Sequence, residues 1–297
     1  MLKLYVAVRD ATLSHLGYKN VFSGLKDLGV KSCEFMIDED LALRHYVDAE
    51  TGQRIILSSK TSCRNFREKL ESENISICAL LVNNRFTMDD FQADVKWIIK
   101  VCRLTSDLNV KVVRINPVMK SSRESSITEY AEFTARCIRE VISKIKEEDV
   151  YLAMENHGLI GNDIDYIRKV IDLVNSERMG LTLDTGNFYW FGYPLDQVYD
   201  IIEEFAIYVK HTHVKNLAFN KEKKHLRRKP GEGYPKTAAP LYLGDIDLYR
   251  VIKILNGAGY DGDLTVEDES IVNFPSSEQL NVIKRDIEHL KNLIYKL

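Results

Sequence analysis

Four side chains able to bind a cation or carry a proton stand at or near the ends of short apolar runs in the second half of the chain. Glu155 follows Tyr151-Leu152-Ala153-Met154, Asp184 follows Gly180-Leu181-Thr182-Leu183, His213 lies in 207–214, and Glu267 follows Asp263-Leu264-Thr265-Val266. Short apolar runs bounded by turn signals fit strands buried on both faces, as parallel sheets require. Between the first two runs, Ile164, Ile167, Ile171 and Val174 recur at helical spacing, so strand, helix and strand follow one another as in a βαβ unit. Glu155 and Asp184 then belong at the carboxyl ends of neighbouring parallel strands, where α/β barrels and open α/β sheets keep their chemistry. For either acid alone, the bland alternative is the N-cap of the following helix.

Three carboxylates and an imidazole converging on one rim repel each other unless a cation compensates them. The set is rich in oxygen and has no thiolate. It therefore suits one divalent ion in open coordination, Mn²⁺ first, with Mg²⁺, Co²⁺ or Zn²⁺ as alternatives. His213 taken alone reads equally as a satisfied core histidine, and the coincidence of four strand ends is what favours a ligand. His211 competes for the imidazole position but should lie deeper, because side chains two apart on a strand share a face.

The elements that must position these groups run the length of the chain. Further strands are expected at 2–8, 32–37, 75–82 and 110–115, with amphipathic helices between them, one carrying Val21, Leu25 and Leu28 before Gly29. Ser276 and Gln279 have capping-box spacing at the head of the last helix, and Pro194 suits the first turn of another. Eight strands alternating with eight helices in 297 residues give the arithmetic of an α/β protein built as a single (β/α)8 TIM barrel, one domain over 1–297. A doubly wound sheet would call for a glycine-rich phosphate loop after the first strand, and none is there. Residues 38–59 are long for a βα connection and read as a site-covering loop or a small hairpin.

Hydrophobic residues make up 45% of the chain and charged ones 29%, which fits an ordinary globular core. The net charge of −3 gives no general electrostatic reason to bind nucleic acid. No stretch approaches the ~20 apolar residues of a membrane span, and the first apolar segment is too short for a signal peptide, so no membrane association and a cytoplasmic location are expected. Cys33, Cys63, Cys78, Cys102 and Cys137 lack CxxC spacing and read as buried free thiols. The basic run at 221–229, including Arg227 and Arg228, leaves the same rim as His213. It reads either as a solvated charge run or as a mobile lid closing on an anionic substrate.

The motifs Glu155-Asn156-His157-Gly158, Asp184-Thr185-Gly186-Asn187, His211-Thr212-His213-Val214-Lys215-Asn216 and Val266-Glu267-Asp268-Glu269, with Gly244-Asp245-Ile246-Asp247-Leu248, resemble those of the xylose-isomerase-like TIM barrels. That superfamily holds sugar and sugar-phosphate isomerases and epimerases and is related to abasic-site endonucleases. The resemblance implies metal ligation by Glu155, Asp184, His213 and Glu267. It also implies acid and base roles for Glu155 and Glu267, and substrate contacts from Arg114, His157, Asn187 and Lys215. Arg114 reads equally as an internal ion-pair partner, and Glu34 as either a site residue or barrel core. Asn187 departs from the histidine that the ketose epimerases and endonucleases carry there, and the third strand lacks the extra ligands of an endonuclease cluster. The expected activity is metal-dependent isomerisation or epimerisation of a small carbohydrate by proton transfer through a metal-stabilised enediolate. The alternatives are dehydration of a keto-sugar or keto-inositol, a non-catalytic sugar-binding barrel and, least favoured, abasic-site cleavage. A homo-oligomer is compatible with the sequence.

Overall fold

Alternation within each apolar run decides the architecture: one set of side chains packs against helices, and the other set fills the inside of a closed sheet. The computed structural model describes residues 4–88, 91–119 and 125–297. Its parallel strands are β1 Tyr5–Arg9, β2 Ser32–Ile37, β3 Ser76–Val82, β4 Val112–Ile115, β5 Tyr151–Glu155, β6 Met179–Asp184, β7 Val209–Val214 and β8 Asp263–Val266. They pair in sequence order, and β1 pairs with both β8 and β2, which closes the barrel. The main helices are α1 Val21–Leu28, α2 Lys60–Ser72, α3 Gln92–Asp107, α4 Ile127–Lys144, α5 Ile164–Val174, α6 Leu195–Phe205, α7 Leu248–Gly257 and α8 Ser276–Tyr295. The expected (β/α)8 fold is the observed one. The first strand begins at Tyr5, and Leu2 and Lys3 lie outside the described residues.

The core between strands and helices is continuous and apolar, including Val8, Phe35, Leu80, Ile115, Met154, Leu183 and Val266. The barrel interior differs. Its apolar part is a small cluster of Ala79, Val112 and Ala153, and the remaining space holds Glu34, Arg114, Thr182, His211 and Thr265, all buried. A barrel filled with small and charged side chains instead of the usual branched aliphatics leaves polar groups aimed at its mouth.

Residues 38–59 form the small hairpin. Ala42–Val47 and Arg54–Ile56 pair antiparallel, and the first continues from β2 through Ile37 and Leu43. Asp38 ties it with Arg44 at 2.6 Å and Arg54 at 2.5 Å, while Tyr46 packs against Phe22 with ring centroids 5.1 Å apart. Two helix-start expectations need correction. Ser276 makes no capping hydrogen bond, and Gln279 Nε2 instead donates to the carbonyls of Ile271 and Phe274. Pro194 sits one position before α6, with an extended ψ of 145°. All five cysteines are buried and free. Among the described residues, no helix is long and apolar enough to cross a membrane.

Asp10, immediately after β1, is buried and accepts a hydrogen bond from Met36 N at 3.0 Å. Burial, helped by the nearby Glu34 charge, pushes its carboxyl up to about 8 despite that hydrogen bond and Arg9. A carboxyl whose pKa is raised by folding contributes stability present below pH ~4 and lost as pH rises through its folded value. Asp10→Asn removes this titration. Its stability relative to the parent should therefore grow between pH 4 and 8, by at most about 1.4 kcal/mol per pH unit. Urea unfolding at several pH values checks this, and a constant difference across the range contradicts it.

Candidate active site

Each of the four sequence-predicted ligands ends a different strand, and barrel closure brings them together. Glu155 closes β5, Asp184 closes β6, His213 lies on β7 and Glu267 directly follows β8. One ligand atom from each lies within 4.8 Å of the others, and all four residues are buried. The sharp turn after β6 holds Asp184 in place: its Oδ1 accepts from Gly186 N at 2.8 Å and Asn187 N at 3.0 Å. A Cβ on Gly186 would lie 2.9 Å from Leu217 and 3.0 Å from Lys215, so glycine lets the β7 extension pass close by.

Cations of the chain face these acids. Arg9 Nη1 pairs with Glu267 Oε1 and Arg114 Nη2 with Glu155 Oε2. Lys215 Nζ reaches Asp184 Oδ2 at 2.9 Å, Glu269 Oε2 at 3.1 Å and Glu267 Oε2 at 3.5 Å. Burial pulls the Lys215 ammonium down, but Asp184 and Glu269 outweigh it and hold the group above its ordinary range. Burial lowers Arg114 to about 9, leaving it a cation at neutral pH. Arg114 thus sits in an ion pair with Glu155, the alternative open from the sequence.

The state of His213 is set from beneath. Burial brings its pKa down to about 4, against the opposing pull of Glu34, so the ring is neutral at ordinary pH. A neutral imidazole carries one N–H, and Glu34 Oε1, a carboxylate oxygen 2.9 Å from Nε2, accepts it. Nδ1 then presents a lone pair to Glu155 Oε1 at 3.3 Å and Glu267 Oε2 at 3.1 Å. Three acceptors facing one another are stable only with a cation among them. Glu155 Oε2, Asp184 Oδ2 and Glu267 Oε2 are also buried without a well-formed hydrogen bond, though each faces the cation of Arg114 or Lys215. The donor set fits a divalent ion of the oxygen-preferring or borderline kind.

Glu34 is the residue that the sequence left undecided, and it lies directly beneath the site. Its Oε1 also receives His211 Nε2 at 3.0 Å, while His211 Nδ1 donates to Asp263 at 2.9 Å. Burial opposes charge on His211, yet Asp263 and Glu34 prevail and lift it to about 9. His211 is therefore a protonated strut, deeper than His213 as its spacing requires. Glu34 with both histidines, and Cys78 with His211 and Asp263, also cluster closely. In the first group the hydrogens of both imidazoles already point at one oxygen. In the second, burial raises the Cys78 thiol far above its ordinary range, which keeps its proton on.

A cleft of about 190 Å³ opens beside the acids, lined by His157, Asn187, Trp190, Lys215, Tyr234 and Glu269. Of the expected substrate contacts, His157, Asn187 and Lys215 line it, while Arg114 does not. Burial lowers His157 to about 3, with Arg114 and Lys215 adding to the effect, so it is a neutral acceptor or donor. Its Nδ1 lies 3.4 Å from Glu155 Oε1. Arg9 and Glu269 were not singled out from the sequence. Two-residue alternation through Tyr5 and Ala7, and onward from Glu267, is the signal that reaches them.

Five residues of the basic run have partners in this structure. Lys223 pairs with Glu232 at 2.5 Å, Lys224 with Asp245 at 2.5 Å and His225 with Asp196 at 2.9 Å. Arg227 stacks 4.0 Å from the Tyr193 ring, and buried Arg228 donates to the carbonyls of Tyr189 at 2.7 Å and Tyr193 at 3.2 Å. These planar cations fasten the loop to the segment after β6. What the loop gives the cleft is Tyr234.

A family profile described as "Xylose isomerase-like TIM barrel" matches residues 22–293. The chain belongs to that family. Among curated relatives, an inosose dehydratase of Clostridium perfringens (strain ATCC 13124) is 22% identical over 260 residues, covering 82% of this chain and 85% of that protein. Solved structures share the fold, among them the following two. The IOLI protein with a bound zinc atom has a TM-score of 0.72 at 15% identity, with 99% and 98% of the two chains covered. L-ribulose 3-epimerase has a TM-score of 0.64 at 15% identity, with coverage of 98% and 94%.

The hydrogen bond from His213 Nε2 to Glu34 generates a prediction. Glu34→Gln replaces the acceptor that His211 and His213 share with an uncharged amide. Outer-shell partners of this kind are worth on the order of 10–100-fold in metal affinity. Competitive titration of Co²⁺ against a chromophoric chelator should show a loss in that range, and affinity equal to the parent would contradict the assigned tautomer.

Proposed function

We propose that this member of the family is a divalent-metal-dependent isomerase or epimerase of a small carbohydrate. The observation that carries the reading is the convergence of Glu155, Asp184, His213 and Glu267 within 4.8 Å, beside a polar cleft at the barrel mouth. These four residues would hold the ion, with Mn²⁺ preferred for its oxygen-rich donor set and Mg²⁺, Co²⁺ or Zn²⁺ as alternatives. When bound, such an ion supplies Lewis acidity toward a carbonyl and its neighbouring hydroxyl, which acidifies the adjacent C–H.

The chain's own groups then move the proton. Glu155 and Glu267 approach from β5 and β8 and are each tied to an arginine, Arg114 and Arg9 respectively. One removes the proton from the carbon next to the carbonyl, and the C–H electron pair passes into the enediolate. The other returns a proton to the opposite face, which inverts the centre, or to the former carbonyl carbon, while the neighbouring hydroxyl's proton passes to the former carbonyl oxygen, which moves the carbonyl. Asn187 and His157 border the cleft on the Glu155 side and are placed to orient hydroxyls, with Asn187 Nδ2 3.4 Å from Glu155 Oε1.

Dehydration is the second reading, favoured by the Clostridium perfringens relative named inosose dehydratase. It shares the first proton removal, after which the neighbouring C–O bond breaks. Lys215, held protonated at the cleft, is placed to hand its proton to the departing hydroxyl, which leaves as water.

Glu155→Gln and Glu267→Gln should each lose on the order of 10²-fold or more in turnover, the usual contribution of a positioned acid or base. Metal content measured in the same samples separates this from lost ligation. Turnover in deuterated water should place solvent deuterium in the product, and its absence would mean hydride shift instead of proton transfer. A product short of one water identifies the dehydratase reading. Near-normal turnover in either variant with metal retained would reduce that glutamate to a ligand and move the role to Lys215 or His157.

A further inference from the structure

We infer that the cleft selects an uncharged, unphosphorylated polyhydroxy compound of about monosaccharide size, with Glu269 and Tyr234 reading its hydroxyls against an aromatic wall formed by Trp190. The inference rests on the function proposed above for what happens at the carbonyl, and adds the class of molecule that enters.

Glu269 opens the short turn Glu269–Asn273 that follows β8, two residues beyond Glu267, and its side chain is 37% exposed into the cleft region. Tyr234 OH donates to its Oε2 at 3.1 Å, and Lys215 Nζ lies 3.1 Å from the same oxygen. Both contacts fall on Oε2, and the carboxylate has a second acceptor oxygen in Oε1. A carboxylate accepts only, so it binds hydroxyl hydrogens and repels a phosphate or carboxylate, whose oxygens bring no proton. Hydrogen bonds to a charged acceptor are worth roughly twice neutral ones, so this one group can rank substrates.

The cations nearby reinforce the choice. Among the described residues, Lys215 is the only cationic side chain lining the cleft, and it is already shared by Asp184, Glu269 and Glu267. Arg9 and Arg114 are held by Glu267, Glu34 and Glu155. A phosphate drawn to Lys215 would also meet Glu269, whose Oε2 lies 3.1 Å from that ammonium, and be repelled by it. In the basic run after β7, the feature of the sequence that suggested an anionic substrate, Lys223, Lys224, His225, Arg227 and Arg228 are engaged with acids, rings and carbonyls.

Size points the same way. A cleft of about 190 Å³ falls below the ~300–1,000 Å³ of pockets that take drug-sized ligands. Trp190 backs onto Gly231, where a Cβ would lie 3.3 Å from the indole, and Gly231 N donates to Trp190 O at 3.0 Å. Glycine there lets the loop close against the ring, which fixes Trp190 as a wall for the apolar C–H face of a sugar.

The chain has two tryptophans, and the other, Trp97, is buried with its Nε1 donating to Asp38 O at 3.1 Å. Intrinsic fluorescence therefore reads the cleft through Trp190. The experiment titrates the Mn²⁺-loaded protein with a panel of ketoses and cyclitols, each beside its phosphate, for example D-fructose with D-fructose 6-phosphate. The tightest binder should be uncharged and at least tenfold tighter than its phosphate. Glu269→Gln should weaken that binder about tenfold and shrink the discrimination, while the phosphate holds or gains affinity. Tyr234→Phe should weaken the uncharged binder less and keep the discrimination. A phosphate preferred over its parent, no uncharged binder in the panel, or an unchanged affinity in Glu269→Gln overturns the inference. Uncharged ligands that bind selectively but are not turned over support this assignment and count against the proposed reaction, so the two failures are distinguishable.

Discussion

Compensation of buried negative charge governs this molecule. Glu155, Asp184 and Glu267 meet within a few ångströms at the carboxyl end of one closed sheet, almost wholly buried, and buried Glu34 reaches them through His213 from beneath. Carboxylates in such a place are tolerated only when paired and hydrogen-bonded. Arg9, Arg114, Lys215 and protonated His211 supply part of the balance and are themselves buried or nearly so. The lone pair of His213 Nδ1, facing two further acceptors, marks where the balance is incomplete. That point is the proposed metal position.

The barrel interior follows from the same constraint. Aliphatic layers could not lie against this set, so Ala79, Ala153, Thr182 and Thr265 fill space between charges while the branched residues face the helices. The His211 strut joins Asp263 in the lower barrel to Glu34, and Glu34 carries the arrangement up to His213. One chain of hydrogen bonds fixes both a charge and a tautomer. Removing a single member leaves an uncompensated buried charge, so substitutions here act on stability as well as on the site.

Much of this was legible in the sequence, for identifiable reasons. The eight strands and their order follow from apolar runs at regular intervals, and the three acids and one imidazole at or near run ends follow from the rule that α/β barrels keep chemistry there. The paired glutamate of Arg114 was not legible, because a charge on a strand does not disclose which neighbouring strand faces it inside a barrel. Arg9 fell one residue past the apparent end of the first apolar run. The partners of the basic loop were not legible, because sequence shows a cluster of charge but not what pairs with it. Glu232, Asp245 and Asp196, with the rings of Phe191 and Tyr193, take up Lys223, Lys224, His225 and Arg227. Ser276 and Gln279 had capping spacing, yet the preceding turn offered Gln279 two carbonyls instead.

The central claim is that three carboxylates and one imidazole complete their charge balance with one divalent ion. Metal content after exhaustive dialysis, read by elemental analysis on the parent, Asp184→Asn and His213→Ala, tests it most directly. The account predicts one tightly held ion per chain in the parent and a large loss in both variants, each of which removes one of the four donors. Full occupancy in both variants, or a parent that retains no ion when Mn²⁺, Co²⁺, Mg²⁺ and Zn²⁺ are each supplied, would contradict it.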